Sequence, residues 1–443
     1  MATGNVVEVA GARALRGAPS LPGDKSISHR ALLLALLADG RSAIKGASEG
    51  ADVRTTAAVI ERLGAQVQRL HDGALIVDSG GLGALRGGRD RRTLDCQNAG
   101  TTLRLLAGIL AGVPGSWVLD GDASLRGRPM ARVAEPLRAM GAGVGASATG
   151  TPPLQIEGRS PLRAIDWTPA VASAQVKSAI LLAGLRAEGT TRVHEPTATR
   201  DHTERMLRAR GVIVRSRPSE DGFGAITAIE GGQDVLPRDE AVPGDASAAA
   251  FWLVAGAAHP DAALGLTTVG TNPGRRGAID LLVAMGASLE ERAVLLAADD
   301  TGEPAADLRV RSAELHGIDI DPRLAAVAID EIPVLAVAAT QARGTTTFRG
   351  VGELRVKESD RLAGIVEGLT ALGAKVSVAG DDVRVVGPTP LRGAALDGRG
   401  DHRLVMAFAV AGLLASGTTS ITGAASAAIS DPGFFSQLER IRS

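Results

Sequence analysis

The chain has 443 residues, of which 45% are apolar and 22% are charged, with a formal net charge of −1. This composition is typical of a globular protein, and it excludes a disordered chain, which lacks the apolar surface needed to offset chain entropy. Because only 2% of the residues are aromatic and the balance is not basic, the composition also argues against a nucleic-acid-binding protein, and the length predicts two domains of roughly 200 residues each.

Several features of the sequence predict a cytoplasmic protein. Cys96 is the only cysteine, so no disulfide can form within one chain, which fits a reducing compartment. The N-terminal stretch has no apolar segment typical of a signal peptide. The longest apolar runs begin at Ala248 and Leu404 and have 11 and 12 residues, short of the ~20 that cross a membrane. We therefore expect no membrane association, and these runs predict buried helices.

One unit recurs six times in chain order: an Ala/Leu-rich helix, a turn, a strand and a second helix that ends at a glycine. Glycine ends helices readily because it adopts the left-handed conformation at little cost. Six units predict three per domain, with a hinge in "VLPRDEAVPGD" from Val235. A segment before Leu21 also has a strand pattern, and the chain would cross twice between domains if that strand paired with the second half. The predicted stops are Gly64, Gly141, Gly211, Gly286 and Gly373.

The first helix of the first unit follows the motif "LPGDKSISHR", which contains Lys25, Ser26 and Arg30. One capping residue is enough to begin a helix, so the additional charges indicate an anion site at the helix N-terminus. A nucleotide phosphate loop is disfavoured because its first glycine is missing at the required spacing.

Similar polar motifs precede later helices. "NAGTTLR" carries Asn98, Gly100 and Arg104, and "ASAQVKSA" carries Ser173. Asn98 and Ser173 could simply be helix caps, as could Ser26 and Asp401, but capping does not explain the neighbouring cations. "GDASLRGRPM" places Arg126 and Arg128 before Pro129, which predicts that a helix begins at that proline.

In the second half, "LRVKESDRL" contains Lys357, Glu358 and Arg361. Lys357 and Arg361 would share one face of a helix and would repel each other unless an anion lay between them. An ordinary solvated surface is the alternative, since Glu358 and Asp360 are close in sequence. "DEIPVLA" and "GDHRLVMA" place further polar residues before the fifth and sixth first helices.

These motifs occur in one order along the whole chain, which resembles the 5-enolpyruvylshikimate-3-phosphate synthase family. The resemblance implies an α/β fold of two inside-out α/β barrel domains, each built from three βαβαββ-type units. It implies a shikimate-3-phosphate domain at 21–240, a second domain at 1–20 plus 241–443, and substrates bound in the cleft between them. The implied reaction transfers the enolpyruvyl group of phosphoenolpyruvate to shikimate 3-phosphate.

The resemblance also implies the site residues. Asp330 is the implied base and Glu358 the implied acid, and Lys25 can assist, with the choice between Lys25 and Glu358 for the methyl proton left open. The residues implied for shikimate 3-phosphate are Lys25, Ser26, Arg30, Ser173, Ala174, Gln175, Arg200, Asp330 and Lys357. Those implied for phosphoenolpyruvate are Lys25, Gly100, Arg128, Gln175, Arg361 and Arg403. No cofactor and no metal are expected, the partners are these small molecules without nucleic acid, and the protein is expected to be a monomer.

Departures from the family pattern refine these expectations. Ile429 stands where many members have lysine, so one contact to the phosphate is missing. Gly100 lacks the methyl group that crowds glyphosate in tolerant members, so we expect a glyphosate-sensitive enzyme, with Leu105 as a modifying residue.

The alternative functions are those of the sister transferase acting on UDP-N-acetylglucosamine and of a non-catalytic anion-binding relative. The first alternative would need a reactive cysteine, whereas Cys96 is predicted to be buried.

Overall fold

The computed structural model of the chain describes residues 5–87, 92–296 and 302–442. Within them, the chain divides into two compact units. The N-terminal unit comprises residues 24–242 with 296 and 302–303. The C-terminal unit comprises residues 5–23, 243–295 and 304–442, and it begins with strands β1 (Val6–Ala10) and β2 (Leu15–Gly17).

The N-terminal unit alternates helices with short strands. Its helices are α1 (Lys25–Leu37), α2 (Ala51–Arg62), α3 (Gly81–Ala84), α4 (Gly100–Ala111), α5 (Ala123–Arg126), α6 (Ala131–Ala139), α7 (Ala174–Gly184) and α8 (His202–Ala209). Its strands are β3 (Asp39–Lys45), β4 (Gln66–Arg69), β5 (Leu75–Gly80), β6 (Arg92–Asp95), β7 (Gly115–Asp120), β8 (Gly143–Gly145), β9 (Leu154–Gly158), β10 (Leu162–Arg163), β11 (Asp166–Trp167), β12 (Ala187–Glu188), β13 (Thr190–Glu195), β14 (Val214–Pro218), β15 (Ala225–Glu230) and β16 (Glu240–Ala241).

The rest of the C-terminal unit follows the same alternation. Its helices are α9 (Ala246–Ala258), α10 (Gly277–Ala284), α11 (Pro322–Val327), α12 (Ile332–Gln341), α13 (Arg361–Ala371), α14 (His402–Leu414) and α15 (Phe434–Ile441), with 3₁₀ helices at Pro273–Arg275, Gly352–Val356 and Ala424–Ile429. Its strands are β17 (Ala262–Gly270), β18 (Ser288–Val294), β19 (Ala305–Arg311), β20 (Asp319–Ile320), β21 (Gly344–Phe348), β22 (Lys375–Ala379), β23 (Asp382–Gly387), β24 (Ala395–Asp397) and β25 (Thr418–Thr422).

The sheets repeat one pattern, in which a parallel pair is extended by antiparallel strands. In the N-terminal unit the orders are β16-β3-β5-β4, β6-β7-β9-β8 and β11-β13-β15-β14, with a further parallel pair, β10-β12. In the C-terminal unit they are β2-β17-β19-β18, β20-β21-β23-β22 and β24-β25-β1. The sheets that contain β6, β11 and β20 each form a contiguous βαβαββ-type unit with the helices between their strands, whereas β16, β2 and β1 join the other three sheets from a distant part of the chain.

The N-terminal strands belong to the C-terminal unit. Strand β1 pairs antiparallel with β25, from Val6 opposite Thr422 to Ala10 opposite Thr418. Strand β2 pairs parallel with β17, with Leu15 opposite Ala262. The sequence predicted that the chain would cross twice between domains if an N-terminal strand paired with the second half, and these strands do pair with it. The chain therefore passes from the C-terminal unit into the N-terminal unit and back.

The first helix of each repeat is buried along almost its whole length, as in α9 and α14, which contain the two longest apolar runs. A helix that is apolar on every face is stable only when other elements surround it. Small residues allow these helices to approach closely: a Cβ on Gly108 of α4 would lie 2.2 Å from the carbonyl oxygen of Ala179 in α7. No helix in the described ranges is both long enough and apolar enough to cross a membrane.

The five predicted helix stops are confirmed. Each of these glycines has a positive φ, between 81° and 107°, the region that favours glycine over residues with a Cβ. The second helix of the corresponding repeat ends shortly before each of them, and a strand follows.

The observed bounds of the units differ from the predicted ones at the crossings. Residues 21–23 lie in the C-terminal unit, and residues 241–242, 296 and 302–303 lie in the N-terminal unit. Two contacts account for this. Part of the predicted hinge forms β16, which pairs with β3, and Glu303 is held by His202, whose Nδ1 lies 2.8 Å from Glu303 Oε1.

Candidate active site

In the N-terminal unit, α1 begins with a buried carboxylate cap and an ion pair. The side chain of Asp24 accepts a hydrogen bond from the backbone N–H of Ile27 at 2.9 Å, so Asp24 and not Ser26 is the helix cap. Lys25, the first residue of α1, places its Nζ 3.1 Å from Oδ2 of Asp52. Asp52 lies in the first turn of α2, and it was not among the predicted site residues.

The ion pair keeps Asp52 charged. Burial by itself would raise the pKa of Asp52, but the positive charge of Lys25 and its hydrogen bond outweigh burial, so the pKa lies below its ordinary value. A carboxylate that is held ionised beside an ammonium fixes that ammonium in place. Lys25 and Asp52 have opposite charges and lie at the N-termini of consecutive helices, and this is the only sequence signal that could have indicated the role of Asp52.

Arg30 connects three elements of the N-terminal unit. Its Nε donates to Thr203 Oγ1 at 2.7 Å, its Nη2 donates to Ser178 Oγ at 2.9 Å, and its Nη1 donates to the carbonyl of Ser26 at 2.9 Å. Burial lowers the pKa of Arg30 to about 10, so the guanidinium stays charged at neutral pH. The predicted residues Ser26 and Arg30 therefore lie together.

Two guanidinium groups flank the start of α4. A Cβ on Gly100 would lie 2.9 Å from Nη1 of Arg104 and 3.1 Å from Nη1 of Arg128. The space that the missing methyl group leaves at Gly100 is therefore narrow, and cationic side chains border it. Arg128 donates to Asn98 Oδ1 at 2.9 Å, so Asn98 holds an arginine and is not a helix cap. Arg126, by contrast, pairs with an aspartate at the surface.

Gln175 connects α7 with α4. Arg104 Nη1 donates to Gln175 Oε1 at 2.9 Å, and Gln175 Nε2 donates to Thr101 Oγ1 at 2.9 Å. Burial lowers the pKa of Arg104 to about 10, with the nearby charge of Arg128 as the next cause. Arg104 was noticed in the sequence as a cation but was not assigned to a substrate.

The N-terminus of α7 holds two more predicted residues. Ser173 caps the helix, since its Oγ accepts from the backbone N–H of Val176 at 3.4 Å, and Ala174 is the first helical residue. Arg200 lies in the connection between β13 and α8. Burial is the largest cause that lowers the pKa of Arg30, the carboxylates of Glu204 and Asp24 oppose it, and the charge of Arg200 lowers it further. The two arginines are therefore close enough to repel.

In the C-terminal unit, three cations surround the carboxylate of Asp330. Oδ1 lies 3.3 Å from Arg361 Nη1 and 3.8 Å from Lys357 Nζ, and Oδ2 lies 3.9 Å from Arg403 Nη2. These four residues come from three separate motifs. An anion does lie between Lys357 and Arg361, as the charge argument required, and it is Asp330.

The helical placement of Lys357 was wrong. Lys357 follows the 3₁₀ helix Gly352–Val356, and α13 begins only at Arg361. The two cations therefore do not share a helix face, and they meet because both reach Asp330. The predicted helix start at Pro129 was also wrong, since α6 begins at Ala131.

Arg361 is the most buried cation of this cluster, and its side chain is 1% exposed. Its Nε lies 2.8 Å from Asp401 Oδ2 and its Nη2 lies 2.5 Å from Glu358 Oε2. Burial would lower the pKa of Arg361, but Glu358, Asp401 and Asp330 together raise it above its ordinary value. Asp401 also caps α14 by accepting from the backbone N–H of Arg403 at 2.9 Å.

Arg403 joins the starts of all three buried helices of this unit. Its Nη1 donates to the carbonyl of Asp330 at 3.1 Å and lies 3.5 Å from Glu331 Oε1, and its Nη2 lies 3.5 Å from Ser247 Oγ. Ser247 in turn donates to Glu331. Glu331 and Ser247 were not predicted as site residues, although both lie at the N-terminus of a predicted buried helix.

Cys96 is fully buried, as predicted. Burial, together with the charges of Asp95 and Asp120, raises the pKa of its thiol to about 12. Such a thiol is protonated at neutral pH and is a poor nucleophile. Within the described residues, no group of three or more His, Cys, Asp and Glu side chains is arranged to hold a metal ion.

A comparison with known families completes this description of the two clusters. The family model for EPSP synthase (3-phosphoshikimate 1-carboxyvinyltransferase) matches residues 9–438. The chain belongs to the EPSP synthase family. The match spans every motif that carried the resemblance, from Lys25 to Arg403.

Individual EPSP synthases show the same relationship. The 3-phosphoshikimate 1-carboxyvinyltransferase of Synechococcus sp. (strain JA-3-3Ab) is 48% identical over 439 residues, which covers 99% of this chain and 97% of that protein. The EPSP synthase structure from Acinetobacter baumannii is 38% identical with a TM-score of 0.88, over 99% of this chain and 98% of that one. The enolpyruvyl transferase NikO from Streptomyces tendae is 19% identical with a TM-score of 0.75, over 99% and 98% of the two chains, and it shows the fold alone.

These likenesses confirm the predicted fold class. The EPSP synthase fold extends over nearly the whole chain, and the repeated βαβαββ-type units of both halves are part of it.

Proposed function

We propose that this protein transfers the enolpyruvyl group of phosphoenolpyruvate to the 5-hydroxyl of shikimate 3-phosphate and releases phosphate. The family match over residues 9–438 carries this proposal. Two sets of cations support this proposal, because both substrates carry phosphate and carboxylate groups that guanidinium and ammonium groups bind well. They are Lys25, Arg30, Arg104 and Arg128 in the N-terminal unit and Lys357, Arg361 and Arg403 in the C-terminal unit. We propose that residues of both units act on the same pair of substrates in the cytoplasm, and that the protein is a monomer.

The proposed binding roles follow the chemistry of the groups. Shikimate 3-phosphate binds to Lys25, Ser26, Arg30, Ser173, Ala174, Gln175, Arg200, Asp330 and Lys357. Phosphoenolpyruvate binds to Lys25, Gly100, Arg128, Gln175, Arg361 and Arg403. Charge-assisted hydrogen bonds of this kind contribute about 1.5–3 kcal/mol each, so several together hold the substrates without a metal or an organic cofactor.

In the addition step, the 5-hydroxyl oxygen forms a bond to C2 of phosphoenolpyruvate. Asp330 accepts the hydroxyl proton, and C3 receives a proton from Glu358 or Lys25, which produces a tetrahedral intermediate with a methyl group. Asp330 suits the role of base because its carboxylate is partly accessible and is held in position by the three cations around it.

In the elimination step, the methyl group returns a proton to the deprotonated Glu358 or Lys25 and the C2–C3 double bond re-forms. The bond from C2 to the phosphate oxygen breaks, and Asp330 gives its proton to the departing phosphate. Arg361 and Arg403 offset the negative charge that develops on the departing phosphate. Arg361 is suited to this because it is fixed by Asp401 and Glu358 before any substrate arrives. A preorganised cation needs no reorganisation during the reaction.

The sister activity on UDP-N-acetylglucosamine is the second candidate, and the state of Cys96 disfavours it, because a buried thiol with a raised pKa cannot provide the reactive cysteine. The test measures phosphate release from phosphoenolpyruvate with either shikimate 3-phosphate or UDP-N-acetylglucosamine as acceptor. Release with shikimate 3-phosphate alone is expected. Release with the nucleotide sugar alone would overturn the proposed substrate, and no release with either would favour a non-catalytic anion-binding protein.

A further inference from the structure

A second ionic cluster lies in the N-terminal unit, apart from the residues proposed to contact substrates. Lys177 Nζ is 2.8 Å from Glu195 Oε2 and 2.8 Å from Glu204 Oε1, and all three side chains are at most 2% exposed. Glu204 Oε2 is buried and has no hydrogen-bond partner among the described residues. One ammonium is thus shared by two carboxylates in the interior.

The stability of the fold does not explain this arrangement. Removing charges from water is costly, and apolar side chains of similar volume often stabilise a protein as well as a buried ion pair does. Burial would lower the pKa of Lys177, but the two glutamates outweigh burial and raise it, so the ammonium remains charged. An ammonium that is costly to bury and stays charged, although burial raises the pKa of its partner Glu204, points to a positional role.

The contacts identify what the cluster positions. Glu195 is the last residue of β13 and Glu204 is in the first turn of α8, so Lys177 contacts one residue on each side of the segment 196–201. Its Nζ also lies 3.4 Å from the carbonyl oxygen of Thr199, and the Thr199 hydroxyl donates to Glu195. The next residue after that carbonyl is Arg200.

Lys177 also belongs to α7, the helix whose N-terminus presents Ser173, Ala174 and Gln175. The neighbouring residue Ser178 bonds Thr203 at 2.7 Å, and Arg30 donates to both hydroxyls. The buried contacts therefore tie the backbone around Arg200 to α7 and to Arg30.

We infer that Lys177 is a positioning residue that, through Glu195, Glu204 and the Thr199 carbonyl, holds Arg200 in register with the N-terminus of α7 for binding shikimate 3-phosphate. This inference rests on the proposed function. It predicts that Lys177 contributes to the affinity for shikimate 3-phosphate only while Arg200 is present.

The test is a double-mutant cycle, in which the dissociation constant for shikimate 3-phosphate is measured by titration calorimetry for the wild type, Lys177→Met, Arg200→Ala and the double variant. Lys177→Met is expected to weaken binding about tenfold in the wild-type background and by less than about twofold in the Arg200→Ala background, since residues that act through one another are not additive. The KM for phosphoenolpyruvate is expected to change by less than about threefold in Lys177→Met.

Arg210→Met is the matched control. Arg210 is another fully buried cation of the same unit, and it pairs with Glu240 at 3.0 Å. Its substitution is expected to lower the thermal midpoint as Lys177→Met does, while it leaves the affinity for shikimate 3-phosphate within about twofold. If Lys177→Met does not fold, Glu195→Gln replaces it in the cycle, because it keeps the side-chain shape and leaves Lys177 paired with Glu204.

Several outcomes would overturn the inference. A tenfold effect that persists in the Arg200→Ala background would show that Lys177 acts independently of Arg200. An equal loss in Arg210→Met would show a general effect of lost stability. If the wild type binds shikimate 3-phosphate and the cycle is additive, only this inference fails, whereas a wild type that does not bind it would overturn the proposed function as well.

Discussion

The carboxylate of Asp330 and the guanidinium of Arg361 lie 3.3 Å apart, although they are 31 positions apart in the chain. Arg361 is buried and is held by Asp401 and Glu358, whereas Asp330 is partly accessible. The pair therefore combines a fixed cation with a carboxylate that a substrate can reach.

This relationship predicts the effect of Asp330→Asn. The amide keeps the shape of the side chain but cannot accept the hydroxyl proton, so kcat is expected to fall by a factor of about 10²–10⁴, while the affinity for shikimate 3-phosphate changes far less. Steady-state kinetics and calorimetry on the same preparation measure both quantities. Asp319→Asn, at an exposed aspartate of the same unit that pairs with Arg349, is the control and should leave kcat within about twofold. An unchanged kcat in Asp330→Asn would remove Asp330 from the proposed mechanism.

Arg361 is expected to tolerate neither lysine nor methionine. Arg361→Met leaves the fully buried Asp401 without its guanidinium partner, which should lower the free energy of unfolding of its unit by about 3–5 kcal/mol. Arg361→Lys should recover part of that stability but not the affinity for phosphoenolpyruvate, which should stay at least about tenfold weaker, because an ammonium lacks the planar fork. Urea unfolding and phosphoenolpyruvate titration test this, with Arg349→Lys at the surface as control. Wild-type affinity in Arg361→Lys would contradict the account.

Gly100 is expected to determine the response to glyphosate. The wild type should be inhibited in competition with phosphoenolpyruvate. In Gly100→Ala the added methyl group would enter the gap between Arg104 and Arg128, so the inhibition constant for glyphosate should rise more than the KM for phosphoenolpyruvate does. Inhibition kinetics measure the ratio. Gly265→Ala, where a Cβ meets no atom within 4 Å, controls for the substitution itself, and an equal rise of both constants in Gly100→Ala would refute the prediction.

His29 is expected to make the N-terminal unit sensitive to acid. Its Nδ1 lies 2.6 Å from Thr56 Oγ1, and burial lowers its pKa from 6.5 to about 3. Between these values the unfolded chain binds a proton that the folded chain does not, so stability falls as the pH falls through this window, by at most about 1.4 kcal/mol per pH unit. In His29→Asn this slope should become shallower when unfolding midpoints are measured from pH 6.5 to 4. The exposed His71, changed to Asn, should leave the slope unchanged, and a parallel profile in His29→Asn would exclude His29 as its source.

For Asp431 we expect the opposite pH dependence of the free energy of unfolding. The residue is buried beside the start of α15, and burial raises its pKa from 3.8 to about 6, although its hydrogen bond from Gly433 acts against burial. Folding is therefore favoured by this group below pH 3.8, and that contribution is lost as the pH rises through 6. Asp431→Asn should accordingly raise the free energy of unfolding at pH 7 by up to about 3 kcal/mol and have no effect near pH 3.5. Urea unfolding at both values tests this, with the exposed Asp280→Asn as control, and a destabilised variant at pH 7 would contradict it.

The sequence was sufficient for features that depend on local chemistry. Helix ends at glycine were predicted correctly because the left-handed conformation is a property of the single residue, as at Gly141 and Gly286. The two longest apolar runs were correctly predicted as buried helices because a helix that is apolar on all faces has no other stable environment. The family was recognisable for a similar reason, since each motif is a short contiguous stretch such as the one that contains Lys25 and Arg30.

The sequence also determined which residue types would form the candidate site, but only the tertiary structure decided how they meet. Lys357 and Arg361 come together at Asp330 and not on one helix, and Asp52 pairs with Lys25 across two helices. Strand β1 pairs with β25, more than 400 residues later. Contacts such as these depend on packing between distant segments, which compensates for the loss of chain entropy only in the complete fold, so no local pattern of residues could have specified them.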